Sequence, residues 1–289
     1  MVSRADFDSP ERPTWCTGCG NYGILNAVKM AFTELDIAPH EILICTGIGC
    51  GSKLPHYLKV NGFHGLHGRP LPVATGARLA NHGFRVMTVH GDGDGYGMGL
   101  SHFAHAARRN ISLVDVVQNN RVYGLTKGQY SPTSTPGMHT PTSPEGAIDL
   151  PVPPLALAIT MGATFVARAY PGELRHFVSV LVQALQHDGY ALVDVLQPCV
   201  TFNRASAYDF YNERVYKLDE TDHDASDRAA AWEKALEWGE RIPIGVVYRV
   251  EGQPTYEEQV PALQDGPLAQ RPLTRLSTDQ IAALRAEVM

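Results

Sequence analysis

Charge is scarce in this chain. Of its 289 residues only 19% are Asp, Glu, Lys or Arg, and the two signs nearly cancel, leaving a net charge of −6 and a pI near 6.0. Without a basic excess there is no electrostatic footprint for nucleic acid, and no such partner is expected. Uninterrupted apolar runs are also missing. The longest, 150-LPVPPLALAITMGATFVA-167, carries three prolines and is expected as a buried helix rather than a membrane span. The opening residues, MVSRADFDSPERP, are polar and broken by proline, unlike a signal peptide, so a cytoplasmic protein without a membrane partner is expected. Internal repeats and low-complexity tracts are absent. The standard phosphate-binding fingerprints are absent too: no G-x-G-x-x-G frame is complete, and no G-K-[ST] triplet occurs. At 44% hydrophobic residues the chain is ordinary globular material for one large domain or two small ones.

What is present begins with 91-GDGDGYGMG-99, in which glycine takes every second position and Asp92 and Asp94 stand between the first three. So bare a backbone lets main-chain N–H groups approach an anionic ligand closely. A β-rich run, 85-RVMTVH-90, precedes it, and 97-GMGLSHFAHAARRN-110 follows with a helical apolar face. A second apolar run, 111-ISLVDVVQ-118, ends at Asn119 and Asn120. This strand, helix, strand unit predicts an α/β fold with a doubly wound, mostly parallel sheet, whose ligand site lies beyond the carboxyl ends of the strands. Asp92 and Asn120 would leave two successive strand ends and could meet there. A carboxylate and an amide oxygen suit a small hard cation such as Mg2+ bridging to phosphate.

Cysteine is scarce, at five residues, but not scattered. Cys16 and Cys19 form 15-WCTGCGN-21, Cys45 and Cys50 lie in 43-LICTGIGCGSK-53, and Cys199 ends 191-ALVDVLQPC-199. In a cytoplasmic chain a C-x-x-C pair points to a metal, a cluster or a redox couple rather than a structural disulfide. A zinc site usually shows a second close pair, and a thioredoxin-like couple a different neighbourhood. A [4Fe–4S] cluster on four thiolates from distant segments and a set of buried, inert cysteines both remain open on spacing alone.

The order G-D-G, a gap of nearly thirty residues, then N-N resembles the thiamine diphosphate motif. More widely, 12-RPTWCTGCGNYGILNA-27, 47-GIGCGSKLPHY-57, 62-GFHGLHGRPLPVATG-76, 91-GDGD-94 and 118-QNNRVYGLTKGQYSPTS-134 resemble the β subunit of 2-oxoacid:ferredoxin oxidoreductases, from about residue 12 to about residue 205. A later echo occurs in 242-IPIGVVY-248 and 254-PTYEE-258. Thr17 departs from the usual C-P-G-C without touching a ligand position. The resemblance implies that Asp92, Asn120 and the carbonyl of Val122 hold Mg2+, and that Cys16, Cys19, Cys50 and Cys199 ligate a [4Fe–4S] cluster. Cys45 is left as core packing. Gly93 and Asp94, with Ile48, Gly49, Cys50 and Gly51, are the implied diphosphate and ring contacts, and Gly124 and Leu125 would line the cofactor from the other side. His67, more than His64, is expected at the site as a donor to the phosphate or a proton carrier. Lys127 is expected to meet the distal carboxylate of a dicarboxylic 2-oxoacid.

The activity implied is the reversible, coenzyme A-dependent oxidative decarboxylation of a 2-oxoacid, with 2-oxoglutarate going to succinyl-CoA as the preferred case and pyruvate as the alternative. Electrons would pass to ferredoxin. The reverse reaction, as in the reductive tricarboxylic acid cycle, fixes carbon dioxide. The chain has residues enough for only the diphosphate-binding half of a thiamine diphosphate enzyme, so an α subunit with the pyrimidine module is required, in an αβ heterodimer or an (αβ)2 assembly. A thiamine-dependent lyase or synthase, lacking the cysteine ligands, and a non-catalytic iron–sulfur or zinc module are the competing readings. Residues 1–205 are expected as the thiamine diphosphate- and iron–sulfur-binding domain. Residues 206–289, which include the charged stretch 212–241, are expected as a peripheral helical and extended arm.

Overall fold

A computed structural model describes residues 1–271 and 276–287. Eight strands form one sheet: β1 (Ile42–Thr46), β2 (Asn61–His64), β3 (Arg85–Gly91), β4 (Leu113–Asn119), β5 (Phe165–Ala169), β6 (Tyr190–Leu196), β7 (Val215–Lys217) and β8 (Ile242–Arg249). Their order across the sheet is β2-β1-β3-β4-β6-β5-β8-β7. All neighbouring strands run parallel except β5 and β8, so the sheet is mostly parallel as the strand, helix, strand pattern predicts. The central strands β4 and β6 are buried along their whole length. That is why they read as near-continuous apolar runs instead of alternating ones.

Helices cover both faces. On one, α1 (Asn21–Glu34) and α5 (Leu174–Gln186) pack together over Ile44, Val89, Val116 and Val193. On the other, α2 (Pro70–Ala80), α3 (Leu100–Arg109) and α4 (Pro154–Met161) cover Val117, Val166 and Leu192. Phe103 is fully buried in this second layer, and its truncation to Ala would cost about 3–5 kcal/mol. Asn110 closes α3 in the left-handed conformation, and its Oδ1 accepts the N–H of Tyr190 at 2.9 Å, tying the helix end to the first residue of β6.

Three expectations are revised. The helix expected over 97–110 begins as α3 only at Leu100, because Gly93–Met98 winds as a π-helical turn. Such wide turns favour functional sites. The apolar run 150–167 is not one buried helix: Leu150 is exposed, α4 ends at Gly162 with φ +92°, and the run continues into β5. The segment after residue 205, expected as a peripheral arm, supplies β7 and β8 to the main sheet, where Ile242, Ile244 and Val247 are fully buried. The alternating apolar residues of β8 complete the face that β5 would otherwise leave open. The terminal helix Thr278–Glu287 buries nothing and is the peripheral part.

Candidate active site

Because β1 is flanked by β2 on one side and β3 on the other, the chain reverses its direction of winding between β1 and β3. The carboxyl ends of strands open a crevice at such a point. A cleft of about 90 Å3 lies there, bounded by the segments that leave β1, β3 and β4. From β1 come Ile48, Gly49, Cys50 and Gly51, and from β3 come Asp92, Gly93 and Asp94. From β4 come Asn120, Val122, Gly124 and Leu125, and His67 joins them from the loop before α2. Nearly every site residue expected from the sequence is thus brought to one place.

Asp92 is buried, and burial pushes its carboxyl up from the ordinary value while hydrogen bonds from Ser131 and Thr133 oppose the shift. Ser131 Oγ donates to Asp92 Oδ2 at 2.5 Å, and Thr133 Oγ1 lies 2.6 Å from the same oxygen and 2.8 Å from Asn119 Oδ1. The single Thr133 proton serves one of these acceptors at a time. Asn120 is fixed at both ends: Val122 N donates to its Oδ1 at 3.1 Å, and Asn203 Nδ2 donates to its carbonyl at 3.0 Å. Gly93 has to be glycine, because a Cβ there would stand 2.1 Å from the Tyr123 ring, whose hydroxyl donates to the Gly93 carbonyl at 3.1 Å.

Asp94 faces the cleft, but its carboxylate acts as a strut. Oδ1 accepts from Ile48 N at 3.1 Å and Gly68 N at 2.8 Å, and His67 Nδ1 also contacts it. Gly47 permits this, since a Cβ there would sit 2.0 Å from Asp94 Oδ2. His67 is therefore held by Asp94 on one side and packed edge-on against Tyr123 on the other, with its ring partly exposed. Behind Asp94 stands His90, fully buried, with Nδ1 3.7 Å from Asp94 Oδ2 and Nε2 2.6 Å from Asp115 Oδ1. Burial opposes its charge, but Asp115 and Asp94 outweigh burial and raise its pKa above the usual imidazole value.

Burial pushes the Cys19 thiol up to about 12, and the nearby thiols of Cys199, Cys50 and Cys16 add to the shift. Cys50 is raised by burial and again by Cys199 and Cys16. Cys45, in β1, is pushed up to about 12 by burial alone. The thiols of Cys16, Cys19, Cys50 and Cys199, from three segments, lie near enough to bear on one another, whereas none of them bears on Cys45. Gly20 N donates to Pro198 O at 3.1 Å, tying the C-x-x-C turn to the Cys199 segment, and Trp15 Nε1 donates to Cys50 O at 2.7 Å. Among the described residues no three His, Cys, Asp or Glu side chains converge closely enough for a single ion. The all-thiol donor set of Cys16, Cys19, Cys50 and Cys199 fits a multi-iron cluster, whose thiolates bind different irons.

Two expected residues lie elsewhere. Lys127 is exposed, outside the cleft lining, in a turn where its φ is +76° and Gly128 N donates to Tyr123 O at 2.9 Å. His64 sits away from the cleft against Thr46 Oγ1 at 3.2 Å and His56 Nε2 at 3.4 Å. Residues that sequence reasoning passed over are Ser131, Thr133, Tyr123 and Gln118. Gln118 lines the cleft with both amide atoms buried and unpartnered. The available signals were the hydroxyl-rich S-P-T-S at 131–134 and a lone polar residue ending an apolar strand.

Residues 47–195 match the family described as thiamine pyrophosphate enzyme, C-terminal TPP binding domain, and residues 199–265 match the C-terminal region of the pyruvate ferredoxin oxidoreductase beta subunit. The chain is 44% identical to 2-oxoacid:ferredoxin oxidoreductase 1, subunit beta, of Aeropyrum pernix, over 95% of this chain and 92% of that one. It is 46% identical to the 2-oxoglutarate oxidoreductase subunit KorB of Mycobacterium tuberculosis, over 70% of this chain and 54% of the other. Among solved structures, 2-oxoglutarate:ferredoxin oxidoreductase from Magnetococcus marinus, with 2-oxoglutarate, coenzyme A and succinyl-CoA bound, aligns with a TM-score of 0.90. The identity there is 38%, covering 98% of this chain and 96% of that one.

Proposed function

Because the chain belongs to the 2-oxoacid:ferredoxin oxidoreductase β subunits, an enzyme family, and carries their thiamine diphosphate-binding domain, we propose that it works with an α subunit in coenzyme A-dependent oxidative decarboxylation of 2-oxoglutarate. The observation that carries this reading is the double position of Cys50, which lines the cofactor cleft and belongs to the group of four thiols. One-electron chemistry needs that adjacency.

When bound, the thiazolium supplies an electron sink for the carbanion left by decarboxylation. The chain's own residues do the rest. Asp92, Asn120 and the Val122 carbonyl offer hard oxygen ligands for Mg2+, and the Ser131 and Thr133 hydroxyls orient the carboxylate. Main-chain groups at Gly93, Asp94, Ile48, Gly49 and Gly51 approach the diphosphate and ring, and Gly124 and Leu125 close the opposite side. His67, oriented by Asp94, carries a proton at Nε2 or donates it to phosphate. Cys16, Cys19, Cys50 and Cys199 would hold a [4Fe–4S] cluster, which would supply a one-electron path toward ferredoxin. Lys127, exposed at the rim turn, meets the distal carboxylate of the substrate once the partner closes the site. The α subunit brings the pyrimidine module and the remaining oxoacid and coenzyme A contacts, in an αβ or (αβ)2 assembly in the cytoplasm. The reaction runs in either direction. Among the described residues no helix is long and apolar enough to cross a membrane.

The deciding experiment purifies the αβ complex without oxygen, assays iron, sulfide and thiamine, and follows ferredoxin reduction with coenzyme A and several 2-oxoacids. The expected result is four irons per chain, bound thiamine diphosphate and fastest reduction with 2-oxoglutarate. Thiamine without iron would make the protein a non-redox lyase, and iron without thiamine an electron-transfer module.

A further inference from the structure

A second cavity, of about 180 Å3, shares no lining residue with the cofactor cleft. Its polar end is built from Arg121, Arg168, Asp194 and Asn119 at the carboxyl ends of β4, β5 and β6. Its apolar side is Val152 in the proline-rich loop before α4, with Leu236 at the end of the helix Arg228–Leu236 and Trp238 just beyond it.

The two guanidinium groups are unusual in being buried and poorly satisfied. Arg121 and Arg168 are 6% and 3% exposed. Arg121 Nε donates to Thr133 O at 2.8 Å, but among the described residues its terminal nitrogens reach no acceptor and no carboxylate pairs with it. Arg168 leaves Nε without a hydrogen bond, 3.8 Å from Asp194 Oδ2, and its terminal nitrogens reach the carbonyls of Pro243 and Ala235 only at 3.5 Å. Asp194 is shared with Tyr96 OH at 2.9 Å and Asn119 Nδ2 at 3.1 Å. The cavity therefore holds two cations and one anion. Both guanidinium groups lie near the Trp238 ring, at 4.6 Å and 5.5 Å from its centre, which eases their burial without neutralising them. Arg121 also has φ +60°, a conformation that glycine adopts more cheaply, so the backbone bears strain to place this side chain.

We propose that this cavity binds a small organic carboxylate, with its carboxyl group between Arg121 and Arg168 and its apolar body against Trp238, Leu236 and Val152. A planar carboxylate matches the guanidinium fork. The apolar wall selects a carboxylate on a hydrocarbon body over a bare inorganic anion. This site is separate from the oxoacid chemistry and does not depend on it.

The test titrates butyrate into the assembled complex, loaded with Mg2+ and thiamine diphosphate, following heat and tryptophan fluorescence. Saturable binding is expected, weakened about tenfold or more by Arg121→Gln, which removes a charge-assisted contact. Leu236→Glu, remote from the metal loop, should weaken it comparably by placing a competing carboxylate at the cavity mouth. The proposal is overturned if butyrate does not saturate, if neither variant changes its affinity, or if inorganic phosphate binds as tightly.

Discussion

Thr133 Oγ1 stands 2.6 Å from Asp92 Oδ2, both residues buried, so the side chain expected to bind the metal is oriented by a residue 41 positions further along the chain. Removing the carboxylate and removing its orienting hydroxyl should therefore differ in degree. Asp92→Ala should abolish retention of thiamine diphosphate through desalting, whereas Thr133→Val should retain it with affinity for Mg2+ lowered about 10–100-fold. Titration of Mg2+ at fixed cofactor measures both, and normal cofactor content in Asp92→Ala would refute the metal assignment.

The cysteines give a contrast within one measurement. Cys199→Ser should lose the broad visible absorption and most of the iron, because one of the four grouped thiols is gone. Cys45→Ser should keep both and lose about 1–3 kcal/mol of stability, since it buries a hydroxyl in the apolar surroundings of β1. Iron loss in Cys45→Ser with retention in Cys50→Ser would reverse the ligand set.

Substrate choice rests on Lys127. A charge-assisted contact to a distal carboxylate is worth about 1.5–3 kcal/mol. Lys127→Ala should accordingly raise the KM for 2-oxoglutarate roughly ten- to a hundredfold more than for pyruvate. An unchanged ratio would mean that this exposed lysine stays in solvent after the subunits assemble.

Asp194 supplies a pH signature. Burial dominates over the Arg168 charge and the hydrogen bonds from Tyr96 and Asn119, and raises its carboxyl pKa from 3.8 to about 6. The raised value means that the neutral form is the one the fold favours. Its stabilising effect is complete below pH 3.8 and is lost as pH rises through about 6. The melting temperature of Asp194→Asn minus that of the unaltered protein should therefore increase across this interval and level off above it. A flat difference across the interval would show that Asp194 is ionised throughout.

Much of the site was legible because its chemistry is carried by short, contiguous motifs. G-D-G-D and N-N end strands whose apolar composition marks them, and in a parallel sheet adjacent strand ends bring Asp92 and Asn120 together without any further information. The C-x-x-C pair, G-I-G-C and P-C are likewise local, and their grouping follows once β1 and β6 enter the same sheet. Glycine at 93 announced close approach of backbone, although the sequence could not say that the Tyr123 ring was what approached.

The remainder depended on contacts between segments far apart in sequence. That Ser131 and Thr133 would reach Asp92, that Asp94 would brace the loops after β1 and before α2, and that Lys127 would stand outside the cleft follow from how loops fold over strand ends. No periodicity records this. The late segment read as charged and peripheral because its charged helix and turns dominate its composition, yet Ile242, Ile244 and Val247 are buried against β5 and the neighbouring helices. The cavity of Arg121, Arg168 and Trp238 joins three distant regions in the same way. Sequence alone determined that β3 and β4 form, where their chemistry sits and which residue types a metal and thiolate site requires. Tertiary structure decided which buried charges are satisfied, because that depends on what each side chain meets when the segments pack.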